Sequence, residues 1–261
     1  MKKFLAIALA ALMALSLAAC GNKEDTTNNG GENNAAVGGN ELVFGDFTYE
    51  VNEKGDYDIT GYEHAGTAAV EVVIPSEIEG RPVTGIAASA FKGDINVSKV
   101  TIPDSVTYIG DLAFALCENI TEITIPNSVT AMGKGVFMEC TGLTKVTLSN
   151  ALTEISDLTF WGCTALTDIT LTETVTAIGD GAFWNCTALA KISVPANVTS
   201  IGRAAFMYCD ALTEAVVANA EAVIEEGAFG ACNDALVLKG AASSTLKTYA
   251  ESEGITFEEN K

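Results

Sequence analysis

Six cysteines recur at positions 117, 140, 163, 186, 209 and 232, always 23 residues apart, and the only histidine is His64. Thiols and an imidazole are what nucleophilic or metal-assisted chemistry would use. A Cys–His dyad or a triad needs the imidazole within hydrogen-bond reach of the nucleophile. Nothing in the spacing brings His64 to a particular cysteine, so it is expected at the surface. A zinc site calls for short paired Cys or His spacings, which the 23-residue interval does not supply. No Gly-rich loop ending in Gly-Lys-Ser/Thr is present to cradle a phosphate. Asp56 and Asp58 flank Tyr57 after Gly55, but the full ligand loop of a calcium site is missing, and a solvated acidic turn is the reading preferred. No catalytic residue, metal ligand or cofactor is assigned, and the chain is not expected to be an enzyme.

Cysteines in an exported chain first bring disulfides to mind. A constant interval instead places equivalent thiols in a file on successive structural units. Such positions favour a small buried apolar group, so reduced, buried thiols are expected. The alternative is three bridges.

What positions these residues is a repeat. Phenylalanine stands at 91, 114, 137, 160, 183, 206 and 229, with a cysteine three places after each except the first, where Asp94 stands. A fixed period of this length marks a solenoid. The stretch CTALTDITLTETVTAIGDGAFWN, residues 163–185, shows the unit best. An apolar residue (97, 120, 143, 166, 189, 212) precedes a strand-like triplet closed by Ile102, Ile125, Leu148, Leu171, Val194 or Val217. A second apolar pair follows, such as Val175 with Ile178, then a glycine such as Gly179, then Ala-Phe. The triplet alternates inward and outward, as a strand against a core must. No single rung can bury its own apolar residues, so rungs must stack.

Two outward columns fit that stacking. One reads Lys99, Glu122, Lys145, Asp168, Lys191, Glu214, alternating in sign, and the next Thr101, Thr124, Thr147, Thr170, Ser193. Both suit cross-strand pairing, with a ligand face as the alternative.

The units I-P-x-x-V-T-x-I-G-x-x-A-F-x-x-C-x-x-L resemble the BspA-like leucine-rich repeats of bacterial surface proteins, over about residues 70–240. The resemblance implies a leucine-rich repeat solenoid, β-rich α/β, with one parallel strand per 23-residue repeat, short helical turns, an N-terminal β cap and a C-terminal helix-strand cap. It also implies a surface binding or adhesion protein. The first unit is five residues longer between Ile74-Pro75 and Ala90-Phe91, the last two shorter after Cys232, and Glu221 breaks an apolar column, predicting looser packing there.

The start, MKKFLAIALAALMALSLAAC, has a positive end, an apolar run and small residues before Cys20. It reads as an export signal, and Leu17-Ala18-Ala19-Cys20 resembles a lipobox, with Cys20 the lipid attachment site. The expected organisation is a signal over 1–20, a flexible tether over 21–40, a β cap over 41–72, the solenoid over 73–240 and a second cap over 241–261. The first cap is predicted as two strands joined at Lys54-Gly55. The second is predicted as a helix opened by Ser243 or Ser244 and running to about Ser252, then a strand at Ile255–Phe257.

The formal charge of −20 becomes −22 without Lys2 and Lys3. It argues against nucleic acid, and against membrane contact other than through the lipid on Cys20. The chain is therefore expected as an extracytoplasmic, lipid-anchored monomer. Both tryptophans follow a repeat phenylalanine on adjacent rungs. The column Met138, Trp161, Trp184, Met207, with Tyr208 beside it, predicts an apolar ridge that serves as the ligand-binding strip. The alternative is that these side chains fold over the turns and only cover neighbouring rungs. A surface protein of a host or neighbouring cell is the expected partner. A glycan on the stacked tryptophans, or a spacer role with no ligand, are the rivals.

Overall fold

The computed structural model describes residues 42–260. The predicted signal, the Cys20 lipid site and the tether lie outside the described residues. The body begins with an antiparallel sheet of β1 (Leu42–Phe44), β2 (Phe47–Val51) and β3 (Tyr57–Tyr62). This is one strand more than the sequence predicts, because Gly45-Asp46 forms a second tight turn.

Then the rungs begin. Strand β4 (Val70–Val73) pairs in parallel with a strand of the first full repeat, so the outer column starts inside the segment read as a cap. The five extra residues of the first unit are accommodated in a hairpin of β5 (Glu77–Ile78) and β6 (Arg81–Ile86). Its two turn residues, Glu79 and Gly80, both take the positive φ that a tight hairpin turn requires, 52° and 77°.

Each later repeat contributes two strands. They are β7 (Val97–Thr101) and β8 (Tyr108–Ile109), β9 (Glu122–Thr124) and β10 (Ala131–Met132), and β11 (Lys145–Thr147) and β12 (Glu154–Ile155). Next come β13 (Asp168–Ile169) and β14 (Ala177–Ile178), β15 (Lys191–Val194) and β16 (Ser200–Ile201), and β17 (Glu214–Val217) and β18 (Val223–Ile224). The chain closes with β19 (Val237–Gly240), α1 (Thr245–Glu253) and β20 (Thr256–Glu259). The ladders between successive 23-residue repeats are parallel and keep that register, as in Lys145 opposite Glu122 and Asp168, while the terminal pairs β4–β7 and β19–β20 are parallel at other offsets.

The third side of each rung is the Ala-Phe turn. In place of the short helical turns expected, its backbone N–H groups alternate in direction. The N–H groups of Leu112, Phe114 and Leu116 donate to the next rung at Lys134, Val136 and Met138, at 2.7–2.9 Å. Those of Ala113, Ala115 and Cys117 donate within their own turn to Gly110, Leu112 and Phe114. The alternation needs two left-handed residues per turn, here Leu112 (φ 56°) and Leu116 (φ 63°). Later rungs place glycine at several of these positions, among them Gly135, Gly162, Gly181 and Gly227, where positive φ has no Cβ cost.

The turn sends its phenylalanine inward. Rings 91, 114, 137, 160, 183, 206 and 229 stack with centroids 5.0–5.7 Å apart, and all are at most 2% exposed. The residues predicted to face inward before each strand, from Val97 to Leu212, are fully buried.

The ends of this stack are capped by tyrosines. Tyr62 packs on Phe91 at 5.8 Å and His64 stacks on Tyr62 at 5.7 Å, so His64 is half-buried rather than a surface residue. At the other end no further rung offers a carbonyl to the Phe229 N–H. The Tyr249 hydroxyl of α1 accepts it at 3.0 Å, and the Tyr249 ring meets Phe229 edge-on. The helix is held by its N-cap Ser244, whose side chain accepts from the Lys247 N–H, and by left-handed Gly254.

Two further details depart from what the sequence predicts. Glu221 is exposed, and Ala222 fills the interior at 0% exposure, so that rung closes by shifting its buried residue along the chain. The inner strand column breaks between β10 and β12. There Ser156 occupies the glycine position of Gly133 and Gly179, where a Cβ would lie 2.5 Å from the preceding rung's backbone. With its Cβ in that space, Ser156 donates to the Met132 carbonyl through its hydroxyl, at 2.7 Å.

Tyr249→Phe keeps the ring but leaves the buried Phe229 N–H without an acceptor, which should lower stability by about 1–3 kcal/mol in urea denaturation. Phe160→Ala, which opens the middle of the stack, should lower it by about 3–5 kcal/mol with circular dichroism retained in water.

Candidate binding surface

The cysteines resolve first. Cys117, Cys140, Cys163, Cys186, Cys209 and Cys232 are free thiols, the first five fully buried and Cys232 half-buried. Each donates to the carbonyl of a phenylalanine one rung back, from Phe91 for Cys117 to Phe206 for Cys232, at 3.0–3.2 Å. Burial pushes the Cys117 and Cys232 thiols up to about 12 and raises the other four as well. A thiol held protonated in this way is a packing group and a poor nucleophile.

The acidic pair also departs from expectation. Asp58 is 5% exposed, not solvated, under the turn that joins β2 to β3. Its carboxylate accepts from Asn52 Nδ2 at 2.8 Å and from the Tyr108 hydroxyl, and Asn52 also reaches Thr84 Oγ1. Burial, above all, raises its pKa. A cavity of about 420 Å³ opens beside it, lined by Glu50, Lys54 and Tyr108 among others. Among the described residues no group of three or more His, Cys, Asp or Glu is arranged to hold a metal.

A shallow cleft of about 660 Å³ runs across the break in the inner strand column, past Lys134, Glu154, Ser156 and Asp180. Its aspartates are engaged in stacking. Asp111, Asp157 and Asp180 each accept the backbone N–H of the following rung, at Lys134, Asp180 and Arg203, at 2.7–2.9 Å. Asp157 also pairs with Lys134 at 3.0 Å.

The outward strand face carries the alternating charges. Ion pairs join Lys99 to Glu71, Lys145 to Asp168, and Lys191 and Lys239 to Glu214, at 2.8–3.7 Å. The two lysines hold the Glu214 carboxyl below its usual range, the Lys239 hydrogen bond counting most. Apart from Glu214 and Lys239 these groups are largely exposed, and solvent screening keeps the contribution of such pairs small.

The aromatic column remains. Met138 and Met207 are 8% and 6% exposed, whereas Trp161, Trp184 and Tyr208 are half-buried. The Met207 methyl lies 3.0–3.1 Å from where a Cβ on Gly230 or Gly227 would sit, so it folds into space the next rung's glycines leave open. The methionines thus cover rungs, and the surface strip narrows to the three aromatics. Trp161 and Trp184 stack at 4.7 Å and 8°, and Tyr208 meets Trp184 edge-on at 5.4 Å and 86°. Beside them is a residue that no sequence pattern singles out. Glu139 is half-buried and left-handed at φ 57°, and its N–H donates to the Trp161 carbonyl at 2.6 Å. Its carboxyl lies over Gly162, 2.8 Å from where a Cβ would sit. A second apolar surface is the open edge of β1, where Leu42, Val43 and Phe44 are 40%, 63% and 44% exposed. An uncharged Leu-Val-Phe run opening the folded body was the available signal for it.

Stacked parallel rungs, one buried ring per rung and an outer strand column define a leucine-rich repeat solenoid. The repeats are of the BspA type: residues 84–213 match the BspA type leucine rich repeat region in six copies. A leucine-rich repeat protein from Eubacterium ventriosum is 27% identical over 74% of this chain, with a TM-score of 0.63, and this chain spans half (50%) of that one. The leucine-rich repeat protein of T. pallidum is 26% identical over 84% of this chain and 98% of its own, with a TM-score of 0.49. No curated protein matches the chain.

The buried thiols carry a pH dependence. In the unfolded chain they ionise near their ordinary value of 9.0, while the folded state keeps Cys117 and Cys232 protonated to about 12. Between those values the unfolded state binds fewer protons, so stability, full below pH 9, should fall as pH rises. Denaturant midpoints from pH 7 to 11 check this. Iodoacetamide on folded residues 21–261, which lack Cys20, should label Cys232 first and leave the other five cysteines unmodified until unfolding, as read by intact mass.

Proposed function

We propose that this protein is a non-catalytic binding scaffold on the outside of a bacterial cell, held by a lipid on Cys20, that contacts a partner protein through Trp161, Trp184 and Tyr208. The observation that carries the reading is the half-buried aromatic strip, in which Trp161, Trp184 and Tyr208 adjoin on consecutive rungs. Tryptophan and tyrosine offer large, rigid contact area at small entropic cost and dominate binding hot spots. The BspA-type repeats support the scaffold reading, since a stacked rod presents an extended face. The export signal and lipobox-like LAAC support placement outside the membrane.

The stack geometry favours protein over glycan. Rings stacked rung on rung turn their faces along the rod and their edges outward, and Trp184 is held between Trp161 and Tyr208. A sugar ring packs on a free aromatic face, whereas a protein surface can pack apolar groups against edges.

The test is an array carrying extracellular proteins and glycans, probed with residues 21–261 and with the Trp161→Ala/Trp184→Ala variant. The expected outcome is protein binding by the parent and at least ~10-fold weaker binding by an equally folded variant, the loss typical of hot-spot residues. Equal binding by both would move the site off the strip, and glycan-only binding would overturn the choice of partner class.

A further inference from the structure

We propose that the partner bound at the aromatic strip presents a basic side chain, lysine or arginine, whose charged head pairs with Glu139 while its aliphatic stem lies along the Trp161–Trp184 stack. The proposal rests on the strip being a binding surface and adds the chemistry of what it accepts.

The observation is a carboxylate that differs from other carboxylates of the rungs. Asp111, Asp157 and Asp180 receive backbone N–H groups from the next rung, Glu214 receives two lysines, and Asp58 receives an amide and a phenol. Glu139 has no such partner: among the described residues no donor and no cation meets its carboxylate. The one charge acting on it is Glu118, of the same sign, and burial followed by Glu118 raises its pKa. A half-buried carboxylate facing a like charge is unfavourable in the free protein, and an incoming cation relieves it.

Position and shape agree with that. Backbone hydrogen bonding to Trp161 fixes Glu139 to the rung that carries the first tryptophan, and its carboxyl rests over Gly162, the residue after that tryptophan. The carboxylate therefore lies over the backbone next to Trp161, whose ring edge opens the strip. Lysine and arginine have the matching construction, with an apolar stem that buries against such an edge and a head that remains at the charge. The chain's charge of −20 also attracts a basic partner from a distance and repels an acidic one.

The experiment is an NMR titration of the folded protein, following the two indole N–H resonances. The probes are N-acetyl-arginine methylamide, N-acetyl-lysine methylamide and the uncharged N-acetyl-norleucine methylamide. The basic probes should shift both indoles saturably, with affinity about tenfold weaker in Glu139→Gln, the loss of one charge-assisted contact. In Glu122→Gln, a carboxylate removed from the strand face, affinity should be unchanged. Glu139→Gln should also unfold at the same or a higher urea concentration than the parent, because it removes an unpaired carboxylate. A lower midpoint would mean the carboxylate already has a stabilising partner, and would overturn the proposal. Equal shifts from norleucine and arginine probes would keep the strip as a binding surface and overturn the cationic partner. Equal weakening in both Gln variants would reduce the effect to net charge and would overturn the Glu139 pairing too. No shift from any probe would overturn the cationic partner, while the strip itself stands or falls by the array comparison of the parent with Trp161→Ala/Trp184→Ala.

Discussion

The backbone of the Ala-Phe turn is what the rest of this structure depends on. Its N–H groups alternate between the next rung and their own turn, so each turn is tied to its neighbour and closed upon itself at once. A helix would consume every N–H internally and leave stacking to side chains alone. The alternation demands two left-handed residues per turn, costing on the order of 1 kcal/mol each where the residue is not glycine. Leu112, Leu116 and Glu139 bear that strain because three inter-rung hydrogen bonds and a buried phenylalanine accompany it. The same close approach accounts for Gly110, Gly133, Gly179 and Gly202 ahead of the phenylalanine turns, where a Cβ would meet the preceding rung's backbone.

Many polar groups of the rungs are committed to stacking as well. Thr107, Thr144 and Thr176 donate their hydroxyls to the carbonyl of the residue 23 positions back, aspartates cap the following rung, and strand charges alternate. In a rod built this way the buried thiols and many hydroxyls and carboxylates of the rungs are engaged in holding one rung to the next. What it offers a partner is extent and shape. The aromatic strip and Glu139 stand out because they are parts of the surface that stacking does not account for.

The repeat is strictly periodic, and so was legible. Phe91 through Phe229, the apolar positions before each strand and the sign alternation from Lys99 to Glu214 all recur at one interval, and their side chains point where the period says. The second cap was equally plain, since a serine ahead of a helix-forming run satisfies open N–H groups; Ser244 proved to be the N-cap. Illegible were features that depend on what lies across a gap. Met138 and Met207 occupy the same column as the tryptophans but are flexible enough to turn into space beside the next rung, which the rigid indoles cannot do. Asp58 looked like a turn residue, and its partner Tyr108 arrives from fifty positions further along the chain. His64, lacking any periodic partner, gave no sign that it extends the ring stack beyond Tyr62.

Sequence alone determined the solenoid, its register, its inward columns and the buried reduced thiols, because each rung repeats the same local demand and the only way to bury those residues is to stack. Tertiary structure alone decided which of the column residues still face solvent, where the inner strand column breaks at Ser156, and that Glu139 is left without a partner beside Trp161. Those outcomes depend on the volume and charge that the neighbouring rung places opposite each side chain, and a one-dimensional period carries no information about either.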